Sequence, residues 1–123
     1  MRFTLSTRRL SLLLLFFSTL TVAPLAADVR DDARKQIEFG IAVAQRGLWR
    51  EAIYRWERAA QIDPTYAAAH NNLAVAYEHE GELDKARAAY EKAVELEPNN
   101  ALIKQNYELF KEINDRTTRQ DTQ

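Results

Sequence analysis

The side chains that most often perform chemistry in proteins are sparse in this sequence. Its two histidines, His70 and His79, lie nine residues apart, whereas two metal ligands on one helix face need a spacing of four. Four acidic residues between positions 78 and 84 are typical of a solvated surface. The chain contains no cysteine, no glycine-rich phosphate loop and no serine-centred nucleophile elbow. We therefore predict a protein that is not an enzyme and uses no metal or cofactor.

The distribution of charge also narrows the range of partners. All eighteen acidic residues lie in residues 28–123, with fourteen of the seventeen basic ones, so this part has a formal charge of −4. Nucleic-acid binding needs a concentrated basic patch, which an acidic chain of this kind lacks. The composition therefore argues against a nucleic-acid partner.

Residues 1–27 have the organisation of a secretory signal peptide. Arg2, Arg8 and Arg9 precede the apolar run of residues 10–22, and small residues end at Ala27. Cleavage after Ala27 would give a periplasmic or secreted protein. Because a membrane span needs about 20 apolar residues and residues 10–27 approach that length, an uncleaved inner-membrane anchor is the alternative. Only in that case would the membrane be a partner.

The elements that position the remaining residues follow from a period of 34 residues, which relates residues 33–66 to residues 67–100. Apolar residues recur at three- and four-residue steps, and Gly47 and Gly81 interrupt them at equivalent places. We predict an all-α fold of about five helices, two in each unit and a closing helix at residues 101–114. Residues 28–32 are expected to be a charged lead-in, and residues 115–123 a disordered tail.

The repeated residues resemble the tetratricopeptide repeat family, whose unit is a pair of antiparallel helices. Eight positions of each unit carry the resemblance. In the first unit they are Gln36, Phe39, Gly40, Val43, Ala52, Trp56, Ala59 and Pro64. In the second they are His70, Leu73, Ala74, Tyr77, Ala86, Tyr90, Ala93 and Pro98. The position-4 residues, Gln36 and His70, depart from the family's bulky residue. The resemblance implies a short right-handed superhelix that binds other proteins.

In this family, the first helices of the units line a concave inner face that holds a peptide or helix of a partner. Carried over to this sequence, that face has an apolar middle and a polar rim. Its expected members are Arg34, Ile37, Ile41, Gln45, Asn71, Val75, Glu78, His79, Leu102, Gln105 and Leu109.

Several alternatives remain open from the sequence. Leu102, Leu109 and Ile113 could instead pack on the end of a small domain or form a homodimer contact. Two units fall below the three or so that usually make a stable array, so the closing helix, a partner or self-association must complete the core. The leading hypothesis is an exported binding module. The second is a membrane-tethered assembly factor of an envelope complex, and the third is a self-associating domain without a groove.

Overall fold

The computed structural model describes the backbone of residues 23–120 and the side chains of residues 25–116. The predicted leader therefore lies outside the described residues, except for its last five. Five helices and no strand are present in the described part of the chain, which confirms the all-α prediction. They are α1 (Ala23–Ala44), α2 (Trp49–Ile62), α3 (Ala67–His79), α4 (Leu83–Leu96) and α5 (Ala101–Gln120).

The helices pack as two pairs and a closing helix. α1 packs along α2, and α3 along α4; α2 then contacts α3, and α4 contacts α5. Small residues at the pair contacts let the backbones approach closely, as Ala52 and Ala86 show by being fully buried. α3 and α5 each bury the apolar face that their periodicity predicts to be turned toward the preceding unit. Leu73 of α3 and Phe110 of α5 are buried on these faces. This arrangement is that of a tetratricopeptide-like solenoid.

The turn within each pair depends on a glycine. Gly47 and Gly81 have φ angles of +78° and +75°, a conformation that costs other residues energy. The N–H of Leu48 donates to the carbonyl of Val43 over 3.0 Å, and the equivalent bond recurs in the second turn. These bonds satisfy carbonyls that a helix end would otherwise leave unpaired. The two turns are therefore built in the same way.

α1 begins earlier than predicted, so the charged lead-in of residues 28–32 is part of this helix. Pro24 lies in the first turn of the helix, where no backbone N–H is needed. Arg30 holds this extension against the α2–α3 turn, because its guanidinium lies 2.7 Å from the Asp63 carboxylate and 4.3 Å from the Tyr66 ring centre. The sequence shows the charges but not this tertiary contact.

α5 also continues past its predicted end. It reaches Gln120, so the predicted disordered tail is wrong for residues 115–120, and residues 121–123 lie outside the described residues. Glu112 and Arg116 form an ion pair at a spacing of four, and Arg87 of α4 approaches Asp115 at 3.8 Å. Such pairs stabilise the polar last turns of α5, which have no apolar residue to bury.

Candidate functional site

The first helix of each unit and the closing helix expose an apolar residue at the same unit position. Ile41, Val75 and Leu109 are 42%, 37% and 55% exposed. They are spaced by 34 residues, so they form one row that crosses α1, α3 and α5. Exposed apolar rows of this kind often mark a binding surface, because burying them releases free energy on contact with a partner.

A depression lies beside this row, between α1 and α3, and we refer to it as the inner groove. Its volume is about 300 Å³. The nearly buried indole of Trp56 contributes to its lining, and the amide side chains of Gln45 and Asn72 supply its polar groups. The full lining consists of Ile41, Ala44, Gln45, Trp49, Trp56, Asn72 and Val75. An apolar depression with a few polar groups suits a side chain of another protein.

The indole of Trp49 also fixes His79. The two rings stack with their centroids 4.1 Å apart and their planes 21° from parallel. Nδ1 of His79 lies 3.5 Å from a carboxylate oxygen of Glu80. His79 is thus positioned beside the groove by an aromatic contact.

Glu78 is held at the edge of the inner face by a tyrosine from the second helix of its unit. The hydroxyl of Tyr90 donates a hydrogen bond to Glu78 over 3.0 Å. Burial raises the pKa of Tyr90 above its ordinary value, and the nearby negative charge of Glu78 raises this pKa further. The hydroxyl therefore stays protonated at neutral pH and can orient the carboxylate.

Two residues predicted to be exposed on the inner face are buried. Ile37 is only 6% exposed and belongs to the same core cluster as Leu73 of α3. Asn71 is 9% exposed, and its side-chain oxygen accepts a hydrogen bond of 3.1 Å from Asn106 of α5. Ile37 therefore contributes to the core, and Asn71 connects the second unit to the closing helix.

The remaining predicted residues lie at the surface. Arg34 forms ion pairs with Asp31 and Glu38, each over 3.2 Å, and its hydrogen bond to Asp31 raises the pKa of the guanidinium. Leu102 and Gln105 are exposed on α5. The structure thus brings Ile41, Gln45 and Val75 together at one groove, and His79 stacks on Trp49 of the same groove.

Trp49, Trp56 and Asn72 line the groove, although the set of residues predicted from the sequence omits them. Trp49 begins α2, so carrying over only first-helix positions misses it. The fact that tryptophan occurs only at positions 49 and 56 could have drawn attention to it.

The histidines have structural contacts. Nε2 of His70 lies 2.9 Å from the carbonyl oxygen of Pro64, beside the turn that precedes α3. Among the described residues, no three acidic, histidine or cysteine side chains are grouped so that they could hold a metal ion. None of the helices in this same part of the chain is long and apolar enough to cross a membrane.

Consecutive pairs of antiparallel helices that stack in chain order are typical of helical-repeat proteins. Two family models match the chain, Tetratricopeptide repeat over residues 67–100 and TPR repeat over residues 40–81. The chain belongs to the tetratricopeptide repeat family.

Three curated relatives are similar to the chain over part of their length. Type IV pilus assembly protein PilF of Pseudomonas aeruginosa is 38% identical over 86 residues, which are 68% of this chain and 34% of PilF. Protein O-mannosyl-transferase TMTC4 of Mus musculus is 36% identical over 64 residues, 52% of this chain and 9% of the relative. The chloroplastic Tetratricopeptide repeat domain-containing protein PYG7 of Arabidopsis thaliana is 29% identical over 85 residues, which are 69% of this chain and 28% of the relative. The chain thus spans about a third of these relatives or less.

Proposed function

We propose that this chain is a non-enzymatic adaptor that holds a peptide or helix of another protein on its inner face. The observation that carries the proposal is the exposed row of Ile41, Val75 and Leu109 beside the inner groove. Membership of the tetratricopeptide repeat family supports a role in protein–protein interaction. One apolar side chain of the partner would enter the groove, and others would cover the row.

The groove offers the partner two kinds of contact. Its apolar wall, to which Trp49 and Trp56 contribute, gains free energy as water leaves, by about 25 cal/mol for each Å² buried. The amides of Gln45 and Asn72 can each donate and accept hydrogen bonds, which would fix the orientation of the bound segment. The apolar contact would supply affinity, and the amides would supply specificity.

Charge introduced into the groove tests this proposal. We expect the double variant I41E V75E to lose capture of the partner from native cells, because two carboxylates would have to be desolvated against the partner. The control is Y54E, which places a single carboxylate on an exposed side chain of α2. Both variants should keep the helical content of the parent by circular dichroism. Equal capture by I41E V75E and the parent would refute a role for the groove.

We also propose that the chain acts outside the cytoplasm of a bacterium, after cleavage of residues 1–27. The basic and apolar leader sequence supports this location. Amino-terminal sequencing of the protein from its native cells should begin at Asp28. A protein that begins at Met1 would contradict export by a cleaved leader.

The second candidate is a membrane-tethered factor that assembles an envelope complex. The similarity to a protein named for type IV pilus assembly favours this role, although the chain spans only 34% of that relative. In this case residues 1–27 stay attached and anchor the chain. An intact mass that includes these residues, together with recovery in the membrane fraction, would select this candidate over the soluble adaptor.

Self-association is the third candidate, since Leu102, Leu109 and Ile113 are exposed on α5. Two copies could cover these residues in a homodimer. Analytical ultracentrifugation over a roughly hundredfold range of concentration tests it. A single monomeric species throughout would remove this candidate.

A further inference from the structure

The inner face has a defined spacing and a defined charge, which together indicate the chemistry of its partner. We infer that the partner segment is an amphipathic helix with a large apolar side chain at every seventh residue and lysine or arginine along one edge. This inference rests on the proposed function and specifies the ligand of the same site.

The spacing follows from the row of Ile41, Val75 and Leu109, which crosses three helices. α1 contacts α3, and the hydrogen bond between Asn106 and Asn71 joins α5 to α3. Axes of packed helices lie about 8–10 Å apart, so we expect a similar distance between successive members of the row. A partner helix advances about 10.5 Å in seven residues, which places every seventh side chain near one member of the row. A β-strand repeats a face about every 6.8 Å and falls out of step with the row.

An extended polyproline segment would also keep step, since it advances about 9.3 Å per turn. Its backbone, however, has no internal hydrogen bonds and must find partners or stay in water. The groove lining offers only two amide side chains, those of Gln45 and Asn72, and is otherwise apolar. A helix satisfies its own backbone, so it can lie on such a surface without leaving polar groups unpaired.

The charge of the inner face differs on its two sides. On the side toward the helix C-termini, Glu78 follows Val75 by three residues and Glu112 follows Leu109 by three. Glu112 pairs with Arg116, but no ion pair within the described residues involves Glu78, whose one side-chain hydrogen bond comes from the neutral Tyr90 hydroxyl. The C-terminal end of α3 adds its partial negative charge here.

On the opposite side, Glu38 precedes Ile41 by three residues, and Asn72 and Asn106 hold the equivalent positions before Val75 and Leu109. Glu38 pairs with Arg34 over 3.2 Å, so the acidic residue at these positions is already neutralised by a cation. A bound helix would therefore place cationic residues on the side of Glu78 and neutral residues on the other. A second copy of this acidic chain fits poorly, because two such edges would face each other with like charge.

Designed helical peptides of about 21 residues, six turns of helix, test the inference. The first has leucine at every seventh residue and lysine along one edge, the second has glutamate on that edge, and the third has the composition of the first with leucine at every fifth residue. Binding is followed by the fluorescence of the protein, since Trp49 lies in the groove wall. We expect the first peptide to bind about tenfold more tightly than the other two at low salt, and high salt to reduce its advantage over the second.

A charge reversal at Glu78 identifies the residue responsible. E78K should abolish or reverse the preference for the lysine-edged peptide. The matched control is E91K, because Glu91 is exposed on α4 and also accepts a hydrogen bond from a tyrosine, over 2.9 Å from Tyr107. E91K should leave the preference unchanged. Three results would each overturn the inference. No peptide binds; the first peptide binds the protein no more tightly than one of the other two; or E78K and E91K change the preference equally.

These outcomes are separate from the test of the proposed function. If I41E V75E loses its partner from native cells but no designed peptide binds, the groove is the binding site and its ligand is not a basic heptad helix. If I41E V75E and the parent capture the partner equally, the proposed function itself fails.

Discussion

The two repeats reach the same helix-pair geometry with different residues at their closest contact. In the first, Trp56 of α2 lies against Gly40 of α1, and its indole N–H donates over 3.1 Å to the carbonyl oxygen of Ile37. A Cβ atom on Gly40 would lie 2.3 Å from the indole nitrogen. The large ring is accommodated only because the facing residue has no side chain.

The second repeat has a smaller aromatic ring and a larger facing residue at the same positions. Tyr90 replaces the tryptophan, and Ala74 replaces the glycine; both are buried. The tyrosine hydroxyl reaches Glu78 at the inner face, whereas the tryptophan bonds to the backbone of α1. The comparison shows that ring and facing side chain vary together, as close packing of the interior requires.

The largest effect is expected from G40A, which gives the first repeat the facing residue of the second. Its Cβ would displace Trp56 and break the indole hydrogen bond, at a cost of about 3 kcal/mol in the free energy of unfolding. A74G opens space without a clash and should cost about 1 kcal/mol, mainly through helix propensity. Urea unfolding followed by circular dichroism measures both.

The double variant G40A W56Y determines whether the two positions are coupled. When a tyrosine replaces Trp56, alanine in place of Gly40 should cost little or even stabilise the helix, since the second repeat carries this combination. A loss from G40A that is equal in the parent and W56Y backgrounds would show that the residues act independently.

The glycines of the turns provide a contrasting case, because the repeats are alike there. G47A and G81A should each cost about 1 kcal/mol, since a side chain at either φ angle strains the backbone, although no atom beyond the adjacent residues lies within 4 Å of the added Cβ. Asparagine, which tolerates this conformation better, should cost less at both sites. Unequal costs in thermal unfolding would show that the turns differ in ways their dihedral angles do not reveal.

Arg30 marks an asymmetry between the units. Its contacts with Asp63 and Tyr66 tie α1 to the turn after the first repeat, whereas in the second repeat Asn100 donates to Glu97 within the turn itself. R30Q should lower the free energy of unfolding by about 1 kcal/mol. K35Q, which removes only an exposed local ion pair with an aspartate one turn earlier, should change it by much less. Equal effects would show that the α1 extension is not anchored by Arg30.

The smallest effect at neutral pH concerns Tyr77, which donates to Glu57 of α2. Burial raises its pKa to about 12, and the hydrogen bond to Glu57 contributes. Since the folded protein holds this proton more tightly than the unfolded chain, the associated stability is complete below about pH 10 and is lost as the pH rises toward about 12. Y77F should flatten the pH dependence of unfolding in this range. An unchanged slope would exclude Tyr77 as a source of it.

The fold follows from the sequence more completely than the site does. The 34-residue period places Gly47 and Gly81 at the turns and the small residues at the helix contacts, because local geometry dictates these residue types. Burial of Ile37 and Asn71 depends on how α3 covers α1 and how α5 meets α3. The latter contact joins Asn71 to Asn106, 35 residues later, and no local pattern encodes it.

The outer ends of α1 and α5 were harder to predict for a related reason. A polar segment without periodic apolar residues is typical of a loop or tail, yet Arg30 and Arg116 have partners that favour helix at both ends. At these two ends, tertiary contacts and ion pairs at helical spacing stabilise the helix in place of buried apolar residues.

Site-specific photo-crosslinking in native cells tests the central claim, that the inner face holds a partner protein, most directly. A photoreactive amino acid would replace Val75 beside the inner groove and, as the control, Tyr54 on α2. The proposed function predicts a discrete adduct with another protein from position 75 and none from position 54. An adduct from position 54 together with none from position 75 would contradict it.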